Sequence, residues 1–174
     1  QVLKELPDKM ETMRMAEMTK KQRKIYLSYL SRIQEEMQER RGIDSGTDRI
    51  QILSALTRLR QICCHPATFV ENYAGGSGKL DLLMEQLPDI LDAGHSVLVF
   101  SQFTSMLSLI AEALGQTGIP YFYLAGQTKA ADRKRYVKEF NEGAVKVFLV
   151  SLKAGGTGLN LIGADTVIHF DPWW

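Results

Sequence analysis

Apolar positions change their period part-way along this chain of 174 residues. Up to about residue 93 they recur at three- and four-residue steps. Beyond it they bunch into short runs separated by amphipathic stretches. After Thr19, a candidate N-cap, Ile25, Tyr26, Tyr29, Leu30, Ile33 and Met37 fall on one side of a helix through residues 20–41, which Gly42 ends. The turn-rich GIDSGT then leads into a second helix, DRIQILSALTRLRQICC. Its predicted buried positions are Ile52, Leu53, Leu56, Leu59 and Ile62, and Pro66 stops it. ENYAGGSG reads as a loop. KLDLLMEQLPDILDAG reads as a third helix with Gly94 at its C-terminal end. Residues 1–15, interrupted by Pro7, read as an extended lead-in with a short strand near Glu11–Met15.

The second part alternates strand and helix. SVLVFS, PYFYLAG, VKVFLVS and DTVIHFD are strand-like. SMLSLIAEALGQTG and AADRKRYVKEFNEG between them are helical. Strands apolar on both faces, joined through helices, predict a parallel sheet covered on both sides. The fold class expected is therefore α/β: an open parallel sheet with helices on both faces, preceded by a helical insertion. The boundary falls between 1–76 and 77–174.

The stretch SLKAGGTGLN, residues 151–160, follows a strand of that sheet. Ligands of open parallel sheets gather at the carboxyl ends of strands. Glycines there let bare backbone amides approach an anion. Lys153 would add charge, Thr157 a hydroxyl, and Asn160 an amide for a sugar or base. A turn that merely reverses the chain explains the glycines equally well. A Walker A loop is excluded: in GGSGKLD, Leu80 stands where the hydroxyl residue belongs and Tyr73 where the first glycine belongs.

Composition adds little. Hydrophobic residues are 45% and charged residues 24%, with a net charge of +1, as in an ordinary globular chain. Lys and Arg outnumber Asp and Glu over residues 1–60, and the reverse holds afterwards. A nucleic-acid surface and a solvated helix face are both consistent with that slope. No apolar run approaches the roughly eighteen residues of a membrane span, so no membrane partner is expected. Cys63 and Cys64 are adjacent, a spacing that suits neither a disulfide nor, with His65, a zinc site, so a structural role is expected. The same holds for His169, and His95 reads as a surface turn residue. Tyr121, Phe122 and Tyr123 are expected to pack, and Arg58 and Arg60 to pair with acids.

SLKAGGTGLNLIGADTVIHFDPWW resembles motif V and its continuation in the SWI/SNF-type ATPases of helicase superfamily two. SVLVFSQFTSML is similar to motif IV of that family. LTRLRQICCHP, SGKLDLL, YLAGQTKAADRKRYVKEFN and the N-terminal LPDKMETM…MTKKQRKIYLSYL are also family-like, in the family's order. The resemblance spans essentially the whole chain. It implies a second, C-terminal RecA-like lobe, expected to be truncated before motif VI, in a motor whose two lobes clamp ATP and grip duplex DNA. Walker A and the acidic Mg2+ site belong to the first lobe, so ATP and Mg2+ are expected in the longer protein and this piece alone is expected to be inert.

Position by position, the resemblance puts Gly158 and Asn160 on the nucleotide-facing side. It puts Ser151, Lys153, Gly155, Gly156 and Thr157 where the nucleic-acid backbone is approached or the two sites are coupled. Ser101, Gln102 and Phe103 come near the DNA strand, and Gly126 and Thr128 in a loop that meets phosphate. None is a nucleophile or base. Trp173 and Trp174 would be covered by a following segment. A nuclear setting is implied for a eukaryotic member, a nucleoid-associated cytoplasmic one for a prokaryotic member. Two alternatives stay open: a nucleic-acid-binding module of a degenerate, non-motor homologue, and an unrelated nucleotide-binding α/β lobe.

Overall fold

The structure is a computed structural model that describes residues 9–39, 46–155 and 158–172. Gly42, most of the GIDSGT break, Gly156, Thr157, Trp173 and Trp174 lie outside the described residues.

Helix α1 (Lys20–Glu39) starts where a reciprocal cap fixes it. The Gln22 amide N–H donates to Thr19 Oγ1, and the Thr19 N–H donates to Gln22 Oε1, each at 3.2 Å. This satisfies two N–H groups that a helix start otherwise leaves unpaired. The expected strand near Glu11–Met15 does not form: residues 9–19 are irregular, and Met10, Met13 and Met15 are exposed. Ile25, Tyr26, Tyr29, Leu30 and Ile33 are half-buried as the pattern predicts, whereas Met37 is exposed.

Helix α2 (Gly46–Cys64) packs on α1. Ile62 is fully buried, but Ile52, Leu53 and Leu56 are exposed, contrary to the helical pattern. The buried residues of α2, Ile62 and Cys64, lie in its last turns, and among the described residues the earlier apolar positions gain no comparable cover. A 3-10 turn at Pro66–Thr68 follows, capped by His65, whose Nδ1 accepts from the Ala67 N–H at 3.1 Å. Helix α3 (Gly78–Asp92) runs on through Pro88, with Ser77 as N-cap.

The remainder alternates as expected: β1 (Val97–Ser101), α4 (Thr104–Thr117), β2 (Tyr121–Leu124), α5 (Ala130–Asn141), β3 (Val147–Ser151), the one-turn α6 (Leu152–Gly155) and β4 (Thr166–His169). The strands form one parallel sheet in the order β2-β3-β1-β4. Side chains alternate across it. Val97, Val99, Val147 and Leu149 meet α3 and α4 on one face. Leu98, Phe148, Val150 and Leu124 meet Phe140 and Tyr136 of α5 on the other. Tyr121 and Tyr123 pack in the first layer, while Phe122 stacks on Tyr136 in the second. Cover is fullest over β1 and β3, while Tyr121, Phe122 and Tyr123 of the edge strand β2 are half-buried. Val167 and His169 of β4 are exposed on the second face, where His169 stacks on Phe100.

Candidate nucleotide and nucleic-acid interface

Because all four strands are parallel, the segments that follow them leave the sheet along one edge. Ser101 and Ser151 are register partners at the ends of β1 and β3. Both are buried, so neither hydroxyl is presented to a ligand. Ser101 Oγ donates to Asp171 Oδ1, and the Gln102 N–H donates to Asp171 Oδ2 at 3.1 Å. Asp171, beyond β4, is itself buried, so one carboxylate ties the exits of β1 and β4. Ser151 Oγ accepts from the Ala154 N–H at 3.3 Å and so caps the turn α6.

Gln102 extends the seam outward. Its Oε1 accepts from Arg60 Nη1 at 3.3 Å, and Arg60 also donates to the Pro172 carbonyl and lies over the Phe103 ring. Gln102 Nε2 is buried without a hydrogen-bond partner among the described residues. Arg58, expected to pair with an acid, meets no carboxylate among the described residues. Its partners are Gln61 Oε1, three residues on along α2, at 2.9 Å and the Phe69 ring.

The described part of the glycine stretch opens with a single helical turn. Its first turn, α6, presents Lys153 to solvent and buries Ala154, whose carbonyl accepts from Arg133 Nη1 at 3.5 Å. Gly155 has no room for a side chain, since a Cβ there would stand 2.9 Å from Phe100 Cε1. Gly158 differs: it takes φ +69°, with nothing within 4 Å of a would-be Cβ. An open left-handed glycine of this kind leaves its amide accessible to an anion.

Beyond Gly158 the chain lies across the second face of the sheet as a strap. Leu159 and Leu161 pack into the core, and Gly158, Asn160 and Ile162 face outward. Asn141, which sequence reasoning missed, clamps this strap: Nδ2 donates to the Asn160 carbonyl and Oδ1 accepts from the Gly163 N–H, both at 2.9 Å. Asn160 therefore sits at the far end of α5, roughly 18 Å of helix from the loop holding Gly126 and Thr128. In that loop Gly126 is exposed, and Thr128 Oγ1 accepts from the Ala125 N–H at 3.0 Å. The candidate residues thus form two groups, one along the carboxyl edge and one on the strap.

Cys64 and His65 are buried and Cys63 is half-buried. Burial pushes the Cys64 thiol up to about 12 and raises that of Cys63. Among the described residues, no three of His, Cys, Asp and Glu gather closely enough to hold a metal ion. Among the same residues, no helix is long and apolar enough to cross a membrane.

Residues 78–174 match the family model described as Helicase conserved C-terminal domain, and residues 1–68 match that of the SNF2-related domain. The solved C-terminal domain of the Sulfolobus solfataricus SWI2/SNF2 ATPase superposes with a TM-score of 0.84 at 31% identity, over 96% of this chain and 74% of that one. The chain belongs to the SWI2/SNF2 family of superfamily-two ATPases. It is that family's second RecA-like lobe, and its parallel sheet has the family's architecture. The SWI2/SNF2 ATPase core of the same archaeon, solved with dsDNA, matches with a TM-score of 0.85 at 29% identity, over 98% of this chain and 36% of that one.

Among curated SWI2/SNF2 relatives, a putative ATP-dependent helicase/translocase of Bacillus subtilis, YwqA, is 35% identical over 97% of this chain and 19% of its own length. The chromatin structure-remodeling complex subunit snf21 of Schizosaccharomyces pombe is 34% identical over 98% and 15%. The chain thus spans less than a fifth of the curated relatives it matches.

Proposed function

We propose that this lobe is one half of an ATP-driven motor that moves along duplex DNA, with residues 1–76 joining it to a first lobe and residues 77–174 forming the second. The observation that carries this is the division of the candidate residues into two groups on one rigid sheet. The carboxyl-edge group supplies Lys153, the Gly126–Thr128 loop and the Gln102–Phe103 turn for the DNA backbone. The strap supplies Gly158 and Asn160 for the nucleotide. A sheet that fixes both groups converts a shift at one into a shift at the other. Ser101 and Ser151, being buried, act by holding the exits of β1 and β3 in place.

The open backbone at Gly158 fits a phosphate or ribose, and the outward Asn160 amide fits a sugar or base edge. Mg2+, when bound, neutralises phosphate charge, and its ligands are assigned to the first lobe. Contacts to phosphate make DNA binding salt-sensitive and nearly blind to sequence. Alone, the lobe holds half the ATP contacts and is inert.

The test joins this chain to its first lobe and to motif VI and measures ATP hydrolysis with and without duplex DNA. DNA-stimulated hydrolysis is expected. Salt-sensitive DNA binding without any hydrolysis would instead establish a non-motor binding module.

A further inference from the structure

We propose that Asn141 is a positioning residue for the bound nucleotide, acting through the strap that carries Asn160. This rests on the assignment of Asn160 to the nucleotide side. Asn141 is the last residue of α5, and it engages the strap at two points three residues apart. Its Nδ2 donates to the Asn160 carbonyl and its Oδ1 accepts from the Gly163 N–H, each at 2.9 Å. Only a side-chain amide offers a donor and an acceptor side by side at this length.

Close approach is built into the partner. A Cβ on Gly163 would stand 2.8 Å from Asn141 Cα and 3.0 Å from the Phe140 carbonyl oxygen, so glycine is what lets the strap lie against the end of α5. Leu159 and Leu161 anchor the strap inward by apolar contact, which is non-directional and sets its position along the face only loosely. The amide clamp removes that freedom by holding the backbone of Asn160 itself. The Asn160 side chain is thereby fixed outward, in the direction its ligand must come from.

Two variants separate the contacts. Asn141→Asp keeps an acceptor for Gly163 but sets a carboxylate oxygen against the Asn160 carbonyl. Asn141→Ala removes both bonds. In the two-lobed ATPase, each variant is expected to raise the KM for ATP about tenfold, the scale of one hydrogen bond, with kcat held to within about threefold and half-saturation by DNA unchanged. In the lobe by itself, hydrogen exchange at the Gly163 amide should quicken about fivefold in Asn141→Ala.

An unchanged KM in both variants overturns the proposal. So does a KM that rises only together with the DNA half-saturation and a fallen melting temperature, the pattern of general unfolding. If the wild-type two-lobed protein shows no DNA-stimulated hydrolysis, the motor assignment fails instead. The clamp is then decided by the exchange measurement, and an unaltered Gly163 rate sinks it.

Discussion

Gln22 Nε2 donates to the Ile62 carbonyl at 2.8 Å, joining the start of α1 to the end of α2. The same amide donates to the Cys63 carbonyl at 3.2 Å, and its Oε1 accepts from the Thr19 and Gly78 N–H groups. A side chain only 1% exposed thus uses its two donors and both acceptor positions to staple three helix ends. Gln22→Leu would strand several buried backbone groups at once. Each costs about 1–3 kcal/mol, so a loss of roughly 3–5 kcal/mol is expected in urea denaturation. A loss below about 1 kcal/mol would show that water replaces the amide without penalty.

The strap separates two kinds of glycine. Gly163→Ala drives a Cβ into the backbone at the end of α5, and a backbone shift must follow. Gly158→Ala meets no atom and pays only for its left-handed φ, about 1 kcal/mol. Gly163→Ala is therefore expected to lower the melting temperature more. It should also weaken ATP binding in the two-lobed protein, as removal of the Asn141 clamp does. Equal destabilisation by the two variants would mean that the strap yields freely at Gly163.

What the sequence shows and what it hides divide along a physical line. Short apolar runs between amphipathic stretches mark the strands of a parallel sheet covered on both faces; β1 and β3 follow that rule, and the edge strand β2 follows it in part. The outer half of α2 does not, because periodicity reports a helix face and not whether anything lies above it. Thr19 is legible as a cap from its residue type. Gln22 is legible too, through the T-x-x-Q pattern of a capping box, although its further bonds to Ile62, Cys63 and Gly78 depend on folds of the chain about forty to fifty-six residues away. Asn141 and Asp171 carry no local signature at all. Each is a polar residue at the end of an element, and its importance lies in backbone groups that only the assembled sheet brings within reach.

Asp171 offers a sharper test of the carboxyl edge. It is buried and accepts from the Ser101 hydroxyl and the Gln102 N–H. Asp171→Ala leaves the Gln102 N–H unpaired and turns the Ser101 hydroxyl to its longer bond with the Phe103 carbonyl at 3.4 Å, so roughly 2–3 kcal/mol should be lost. Asp171→Asn retains an acceptor for Gln102, while its amide can donate to Ser101 Oγ, so about 1 kcal/mol is expected. A double-mutant cycle with Ser101→Ala should give a coupling of about 1 kcal/mol or more, since the pair is in direct contact. Additive effects would show that the two residues act independently and that the exits of β1 and β4 are not tied through them.

His65 makes the fold sensitive to acid. Burial holds its pKa below the ordinary value of about 6.5, with attraction to Asp81 opposing the shift only in part. Its Nδ1 accepts from the Ala67 N–H, so a proton on that nitrogen would also break the cap of the turn after α2. A folded state that prefers the neutral ring takes up its proton later than the unfolded chain does. The stabilisation is therefore complete above about pH 6.5 and is lost as pH falls through the lower, folded value. His65→Asn keeps a side-chain acceptor for Ala67 and does not titrate. Between about pH 7 and pH 5 the melting temperature of the wild-type chain should fall more steeply than that of His65→Asn, with the two curves parallel above that window. Parallel curves throughout would mean that His65 titrates alike in the folded and unfolded states, and that its burial does not govern its charge.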